Sequence, residues 1–481
     1  MKKEGVLGSL IWKFSERISA QLISMIVSVI LARLLEPENY GLVAIVMIFI
    51  TLANVFVSDG LGCALIQKKD ADELDFFSVL YINIGLSIAL YLVLFFFAPF
   101  IADFYGAGYE LLTPVLRVLG LRIILTSVNS VQHAYISKKM MFRKYFYSTL
   151  FGTLVSAIVG IAMAYLNYGV WALVFQYLVS SSVSSIVLII IFKHKPKFLF
   201  SLDRVKKLYP YGMRILATNL MITGYQELRA LIIGKVYSSE DLAYFDRGKQ
   251  FPNLLITNIN ASISSVLFPV LSSKQDDINK VKELTRKSIR ISSYIMCPMM
   301  LGMMAVSEPF VKVVLTEKWI ACVPLMQLFC SMNLFYPAHT ANMQAVKAMG
   351  RSDLYFRYEL LKKAIELIVL IAVVNVSVKA IVLGMAVCAN LFVLVNAYPN
   401  KKLINYGFFE QIKDMFPSLS IAIVMFGCVY AVNFIVVNDI LKLVIQIVSG
   451  VIIYLILSIV TRNQEFYIIK NIVLNLLKKQ I

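Results

Sequence analysis

The stretch FFSVLYINIGLSIALYLVLFFFAPFI, residues 76–101, runs for 26 positions without a charged side chain. As an α-helix rising 1.5 Å per residue it crosses a hydrocarbon core of ~30 Å with residues to spare. In lipid every backbone N–H and C=O must be paired within the protein. A continuous apolar run therefore reads as a helix, and an alternating one would read as a barrel strand. The same signature recurs along the 481-residue chain. Fourteen apolar segments are expected at 11–35, 40–66, 76–101, 111–136, 146–166, 169–192, 208–236, 241–271, 288–312, 321–346, 354–376, 380–399, 415–437 and 440–461.

Composition agrees with that reading. Hydrophobic residues make up 59% of the chain and charged ones 15%, with a mean hydropathy of +0.77. A soluble domain carries about 25% charged residues. The expected fold class is an all-α polytopic membrane protein with about fourteen transmembrane helices. The first apolar stretch has no early small-residue cleavage site and reads as a retained helix. The six cysteines lie in or beside apolar segments without CxxC spacing or histidine neighbours, so they read as small core residues and not as metal ligands.

An even number of crossings puts both termini on one side. With the N-terminus inside, Arg33, Lys235, Lys312, Lys318, Lys379 and Lys442 fall at external positions. Arg117, Arg122, Arg214, Arg229, Arg247 and Lys249 fall inside segments, and the rest of the 46 lysines and arginines fall at cytoplasmic positions. That asymmetry is a strong positive-inside signal. It accounts for the net charge of +18 without any nucleic acid. The expected location is the bacterial cytoplasmic (inner) membrane with both ends in the cytoplasm. The tail beyond Arg462 sets Ile468, Ile469, Ile472, Val473, Leu476 and Leu477 on one helical face, the pattern of a helix lying on the anionic inner leaflet.

A weak repeat runs through the chain. Pro37–Gly41 (PENYG) resembles Ser239–Ala243 (SEDLA), Thr113–Leu116 resembles Val323–Met326, and Arg143–Phe146 resembles Asp353–Phe356. The offsets of 202, 210 and 210 residues keep the segments in order. Two six-helix halves are expected, residues 1–200 and 201–400, followed by two additional transmembrane helices and the amphipathic tail at 401–481. Parallel halves of this kind are typical of transporters that alternate access around a central site.

Several of these residues carry a family likeness. LARLLEPENYG (31–41), followed by DGLGCALIQ (59–67), resembles the opening of bacterial polysaccharide exporters. These are the Wzx-type flippases, in the WzxC-like branch of the MOP superfamily that also holds the multidrug and toxin extrusion (MATE) proteins. LAYFDRGK (242–249) and LFPVL (267–271) extend the match. The likeness covers nearly the whole chain in length, segment count and repeat order, and is sharpest over the first ~110 residues. The resemblance implies a pair of six-helix lobes moving undecaprenyl-pyrophosphate-linked oligosaccharide from the inner to the outer leaflet. It also implies membrane lipid as surroundings, polymerase and chain-length machinery as partners, and neither cofactor nor nucleic acid. One departure is Gly248–Lys249, where family members often carry a small residue followed by alanine.

A charge within a span is expensive and normally faces a cavity or a partner. Arg122 lies about eleven residues into the fourth segment, roughly 16 Å from its outer end and too deep for easy snorkelling. Arg117 is nearer the outside. Guanidinium groups there suit a pyrophosphate, whose oxygens they bind in pairs. Interhelical ion pairing is the alternative role. Arg247, Arg214 and Lys249 complete the substrate-binding candidates, with snorkelling the alternative for Arg214. Glu227, Asp246 and Asp59 are the candidates for ion coupling, Asp59 with a structural alternative. The histidines, His133, His194 and His339, are dispersed and read as structural.

Two other functions compete. A membrane polymerase or glycosyltransferase generally needs a sizeable external loop, and no connection here is long enough to fold by itself. A multidrug exporter would favour acidic residues for cationic cargo. No GxxxxGK[ST] loop is present, which argues against ATP hydrolysis by this chain.

Overall fold

The computed structural model describes residues 6–58, 60–68, 70–139, 141–192 and 199–478. Among them there is no strand. In chain order the helices are α1 (Val6–Leu34), α2 (Pro37–Ser58), α3 (Leu61–Gln67), α4 (Glu73–Tyr105), α5 (Leu112–Lys139) and α6 (Phe142–Tyr165). They continue as α7 (Val170–Phe192), α8 (Leu202–Val236), α9 (Ser239–Ser272), α10 (Ile278–Phe310), α11 (Val323–Asn333) and α12 (Tyr336–Ala348). The last five are α13 (Ser352–Val373), α14 (Val378–Leu403), α15 (Phe408–Ala431), α16 (Asp439–Val460) and α17 (Gln464–Lys478).

Every apolar segment expected from the sequence coincides with one helix or a broken pair. The segment at 40–66 is divided into α2 and α3, and that at 321–346 into α11 and α12. Pro337 explains the second break, because it donates no hydrogen bond and its ring excludes the carbonyl four residues back. Around the break the backbone makes short-range bonds, Leu334 N–H to the Ser331 carbonyl and Ala338 N–H to that of Phe335. Elsewhere polar side chains start the helices. Asp72 and Asp75 form a reciprocal capping box at α4, and Asp277, Ser377 and Asn438 cap α10, α14 and α16.

Ten helical stretches among the described residues are long and apolar enough to cross a membrane. The helices α8, α9 and α13 have the length, at 35, 34 and 22 residues, but charged and amide side chains interrupt them. Burial is inverted relative to a soluble protein. On α4, Phe96 and Phe100 are 65% and 69% exposed while Asn83 is 1% exposed, its amide donating to the Val57 carbonyl. On α16 the buried residues are Gln446, Gly450, Tyr454 and Ser458, one every four positions. Such a small and polar seam packs helices together in lipid, leaving the apolar face to the acyl chains. This is a multi-pass membrane protein.

The chain forms two compact units, residues 1–243 and 244–481. In the first, α5 packs on α2, α4 and α7, with Leu116, Leu119 and Ile123 buried. The helix α8 belongs to this unit, against α2, α3 and α4. Where α2 begins, Gly41 lies so close to Ser239 that a Cβ would overlap the Ser239 backbone.

In the second unit α10 is the central element, packed on α11, α12, α15 and α16. Beside it Asn342 (α12), Asn400 (α14) and Gln411 (α15) share hydrogen bonds of 2.8–2.9 Å, all three buried. Gln411 also donates to the carbonyl of Tyr406, whose hydroxyl donates to Asp414, itself paired with Arg286 at 2.7 Å. Burial, then the bond to Asp414, pushes the Tyr406 hydroxyl well above its ordinary pKa. Replacing Gln411 with leucine strands the amide of Asn342 and the carbonyl of Tyr406, at about 1–3 kcal/mol for each buried group left unpaired. The expected result is a lower thermal midpoint in detergent, and an unchanged midpoint would show that the cluster adds nothing. The tail helix α17 is tied to α10 by Arg290 and Glu465 at 2.5 Å, with Phe466 and Ile469 packed on the core.

Candidate functional site

Arg122 sits on α5 and reaches across to two other helices. Its Nε donates to Ser181 Oγ on α7 at 3.1 Å, and a terminal nitrogen lies 3.5 Å from the sulfur of Met47 on α2. The guanidinium carbon is 5.2 Å from the centre of the Tyr177 ring. Among the described residues no carboxylate pairs with it. A half-buried cation held by a hydroxyl, a thioether and an aromatic face keeps most of its donors and all of its charge. Such a group attracts an anion, because the surrounding low dielectric strengthens the attraction and no protein charge cancels it.

Arg117 is five residues away, which turns it about 140° around the helix. It faces α4, donating through Nε to the Phe95 carbonyl at 3.2 Å with its guanidinium 4.4 Å from the Phe95 ring centre. The two arginines therefore serve different faces of α5. On α8, Arg229 lies over Tyr225 and donates to its hydroxyl at 3.2 Å, and Glu227 is half-buried nearby. Arg214 lies on the same helix, with its side chain outside the described residues; Asp59 lies outside them altogether.

Arg247 (α9) is only 5% exposed. It stacks on the buried Trp319 ring at 5.1 Å and donates to Gln250 at 2.6 Å, an arrangement that packs the second unit. Its neighbours Asp246 and Lys249 lie one and two residues to either side; Asp246 has both cations as charged neighbours, and Lys249 approaches the Phe245 ring at 6.0 Å. The acid and the two bases thus form one local charge group.

A second polar cluster was not anticipated. A cavity of about 340 Å³ in the second unit is lined by α9, α12, α13 and α14. On α13, Glu359 pairs with Lys362 at 2.5 Å and Glu366 with Lys363 at 3.1 Å. On α12, His339 bonds the Ala389 carbonyl at 3.0 Å through Nε2 and meets the Asn396 amide through Nδ1. Lys362 and Lys363, counted by the sequence among the cytoplasmic cations, stand about three turns into α13. Two glutamate–lysine pairs, each three residues apart inside an apolar segment, were the signal available.

The comparisons with known proteins follow from this architecture. A family model described as polysaccharide biosynthesis protein matches residues 30–324. The chain belongs to that family. Succinoglycan biosynthesis transport protein ExoT of Rhizobium meliloti (strain 1021) is 24% identical, over 69% of this chain and 67% of its own. Teichuronic acid biosynthesis protein TuaB of Bacillus subtilis (strain 168) is 22% identical over 85% of both chains. Lipopolysaccharide biosynthesis protein WzxC of Escherichia coli (strain K12) is 24% identical over 69% of this chain and 68% of its own. Among solved structures, the lipid II flippase MurJ in an inward closed conformation superposes with a TM-score of 0.75 at 17% identity, covering 94% of this chain and 99% of that one. An inward-facing multidrug resistance MATE transporter of the MOP superfamily gives 0.62 at 15% identity, covering 82% and 98%. ExoT is thus named as a transport protein, and the solved structures that share this fold are named as a flippase and a transporter of the MOP superfamily.

Proposed function

We propose that this exporter flips undecaprenyl-pyrophosphate-linked oligosaccharide from the inner to the outer leaflet of the bacterial cytoplasmic membrane, supplying O-antigen, capsule or exopolysaccharide synthesis. The observation that carries the reading is Arg122, a guanidinium on a membrane-spanning helix whose partners are all uncharged. A pyrophosphate crossing the low-dielectric core needs such a counter-charge, and the planar fork binds two phosphate oxygens at once. The names of the relatives, which concern succinoglycan, teichuronic acid and lipopolysaccharide biosynthesis, support the class of cargo.

The remaining assignments belong to the same proposal. Fourteen crossings place both termini in the cytoplasm, with repeat-related halves at 1–200 and 201–400 alternating access and 401–481 added to them. Arg117, Arg214, Arg247 and Lys249 add positive potential around the pathway, although the packing of Arg247 suits it to a supporting place. Glu227, Asp246 and Asp59 are the coupling candidates. Polymerase and chain-length machinery receive the product.

Deletion of the gene tests the whole reading. The expected result is lipid-linked repeat units accumulating on the cytoplasmic leaflet, measured by their protection from an external, membrane-impermeant glycosidase. Units accumulating on the outer leaflet would instead identify a polymerase.

A further inference from the structure

The cavity in the second unit has no place in the anion-binding argument, yet it is built like a recognition site. In a membrane segment a buried polar group is costly unless its bonds are made. Here they are made: Lys362, only 8% exposed, is paired with Glu359, and Thr340 on α12 donates to Asn260 on α9 at 2.6 Å. His339 is fixed at both ring nitrogens, Nε2 donating to a carbonyl and Nδ1 accepting from an amide, which the neutral ring satisfies fully. These side chains of the cavity wall are thus held in place before any ligand arrives.

Charge and shape narrow the ligand. Lys347, Lys362 and Lys363 face Glu359 and Glu366, with His339 neutral, so the lining carries one net positive charge. A diphosphate entering here would meet two carboxylates, and a lipophilic cation would meet three ammonium groups. A sugar meets neither penalty. Each of its hydroxyls both donates and accepts, and adjacent hydroxyls can bridge a Lys–Glu pair by bonding both members. Gln344 adds a donor and an acceptor at the wall, and Tyr336 and Tyr355, the latter with Lys347 4.0 Å over one face, add aromatic surface for the apolar side of a pyranose. The volume lies at the low end of the ~300–1,000 Å³ of small-molecule sites, room for a short piece of glycan and not for a whole lipid-linked cargo.

We propose that the cavity between α9, α12, α13 and α14 is a carbohydrate subsite that binds a neutral or singly acidic sugar of the cargo, separately from the pyrophosphate at Arg122. The proposal rests on the flippase reading for the word cargo, but its test does not. Full-length protein in lipid nanodiscs is probed by saturation-transfer NMR with methyl glucoside, methyl N-acetylglucosaminide and methyl glucuronide. Undecaprenyl pyrophosphate is titrated separately. The expected result is saturation of at least one glycoside, with affinity falling by about tenfold or more in the double variant Glu359→Gln/Lys362→Gln. Removing both partners leaves no lone buried charge. Gln344→Ala, which removes no bond among the described residues, weakens the same glycoside, and Arg122→Ala leaves it unchanged.

No saturation by any glycoside, or saturation that survives both cavity variants, overturns the proposal. Proton uptake on energisation that both cavity variants abolish, without glycoside binding, overturns it in favour of an ion-coupling site. Failure of the flippase reading shows differently, as undecaprenyl pyrophosphate binding indifferent to Arg122→Ala.

Discussion

Arg122→Ala removes surface polysaccharide while the protein still accumulates in the membrane. The substitution deletes a charge whose partners are Ser181, Met47 and Tyr177, none of which is left as an unpaired ion. The fold therefore loses bonds to two neutral acceptors and one ring contact, a modest cost. The cargo loses charge-assisted bonds worth about 1.5–3 kcal/mol each, or roughly ten- to a hundredfold in occupancy of the crossing state. Arg122→Lys keeps the charge and loses the fork, and so returns part of the output. Polymer measured on whole cells, beside quantified protein in the membrane fraction, decides the matter. Normal polymer from Arg122→Ala removes this residue from the transport path.

Gly41→Ala has a different and equally large effect: the protein fails to accumulate. The added methyl would overlap the carbonyl carbon and oxygen of Ser239. These are backbone atoms at the first residue of α9, and no rotamer change relieves the collision. Overpacking a core commonly costs about 1–3 kcal/mol, and a clash against backbone lies at or beyond the upper end. Gly85→Ala supplies the control. It lies on α4 with no atom within 4 Å of its would-be Cβ, and is expected to behave as wild type. Monodisperse elution after detergent extraction distinguishes the two, and equal behaviour of both variants would mean that α2 and α9 separate easily at this point. The contact has a further interest, since Gly41 and Ser239 stand in the two stretches, PENYG and SEDLA, that the repeat relates to one another.

The helices were legible because lipid imposes a single rule on a long apolar run, and α4 and α16 obey it without exception. Arg122 was legible for the same reason: an arginine deep in such a run calls for an explanation. The surroundings of these residues were not. Ser181 lies 59 residues from Arg122, and no period or motif relates the two. His339 looked isolated because its partners Ala389 and Asn396 are 50 and 57 residues away, on a helix that packs beside it only in the fold. The pairing of the α13 charges went unread because a rule that sorts lysines by side does not ask whether a lysine has a glutamate three residues away on its own helix. The break between α11 and α12 had a visible cause in Pro337, but hydropathy averaged across a window smooths over it.

The amide cluster of Asn342, Asn400 and Gln411 bears on how the molecule came to have its final helices. If α15 and α16 were grafted onto an ancestral duplicated carrier, the graft no longer has a clean seam, because Gln411 supplies hydrogen bonds that Asn342, on an older helix, has come to depend on. Dependence of this sort accumulates in one direction. Each interior asparagine that evolves to meet a newcomer makes the newcomer harder to lose, so a shortened descendant ending near residue 400 must first have its interior rewritten in apolar residues.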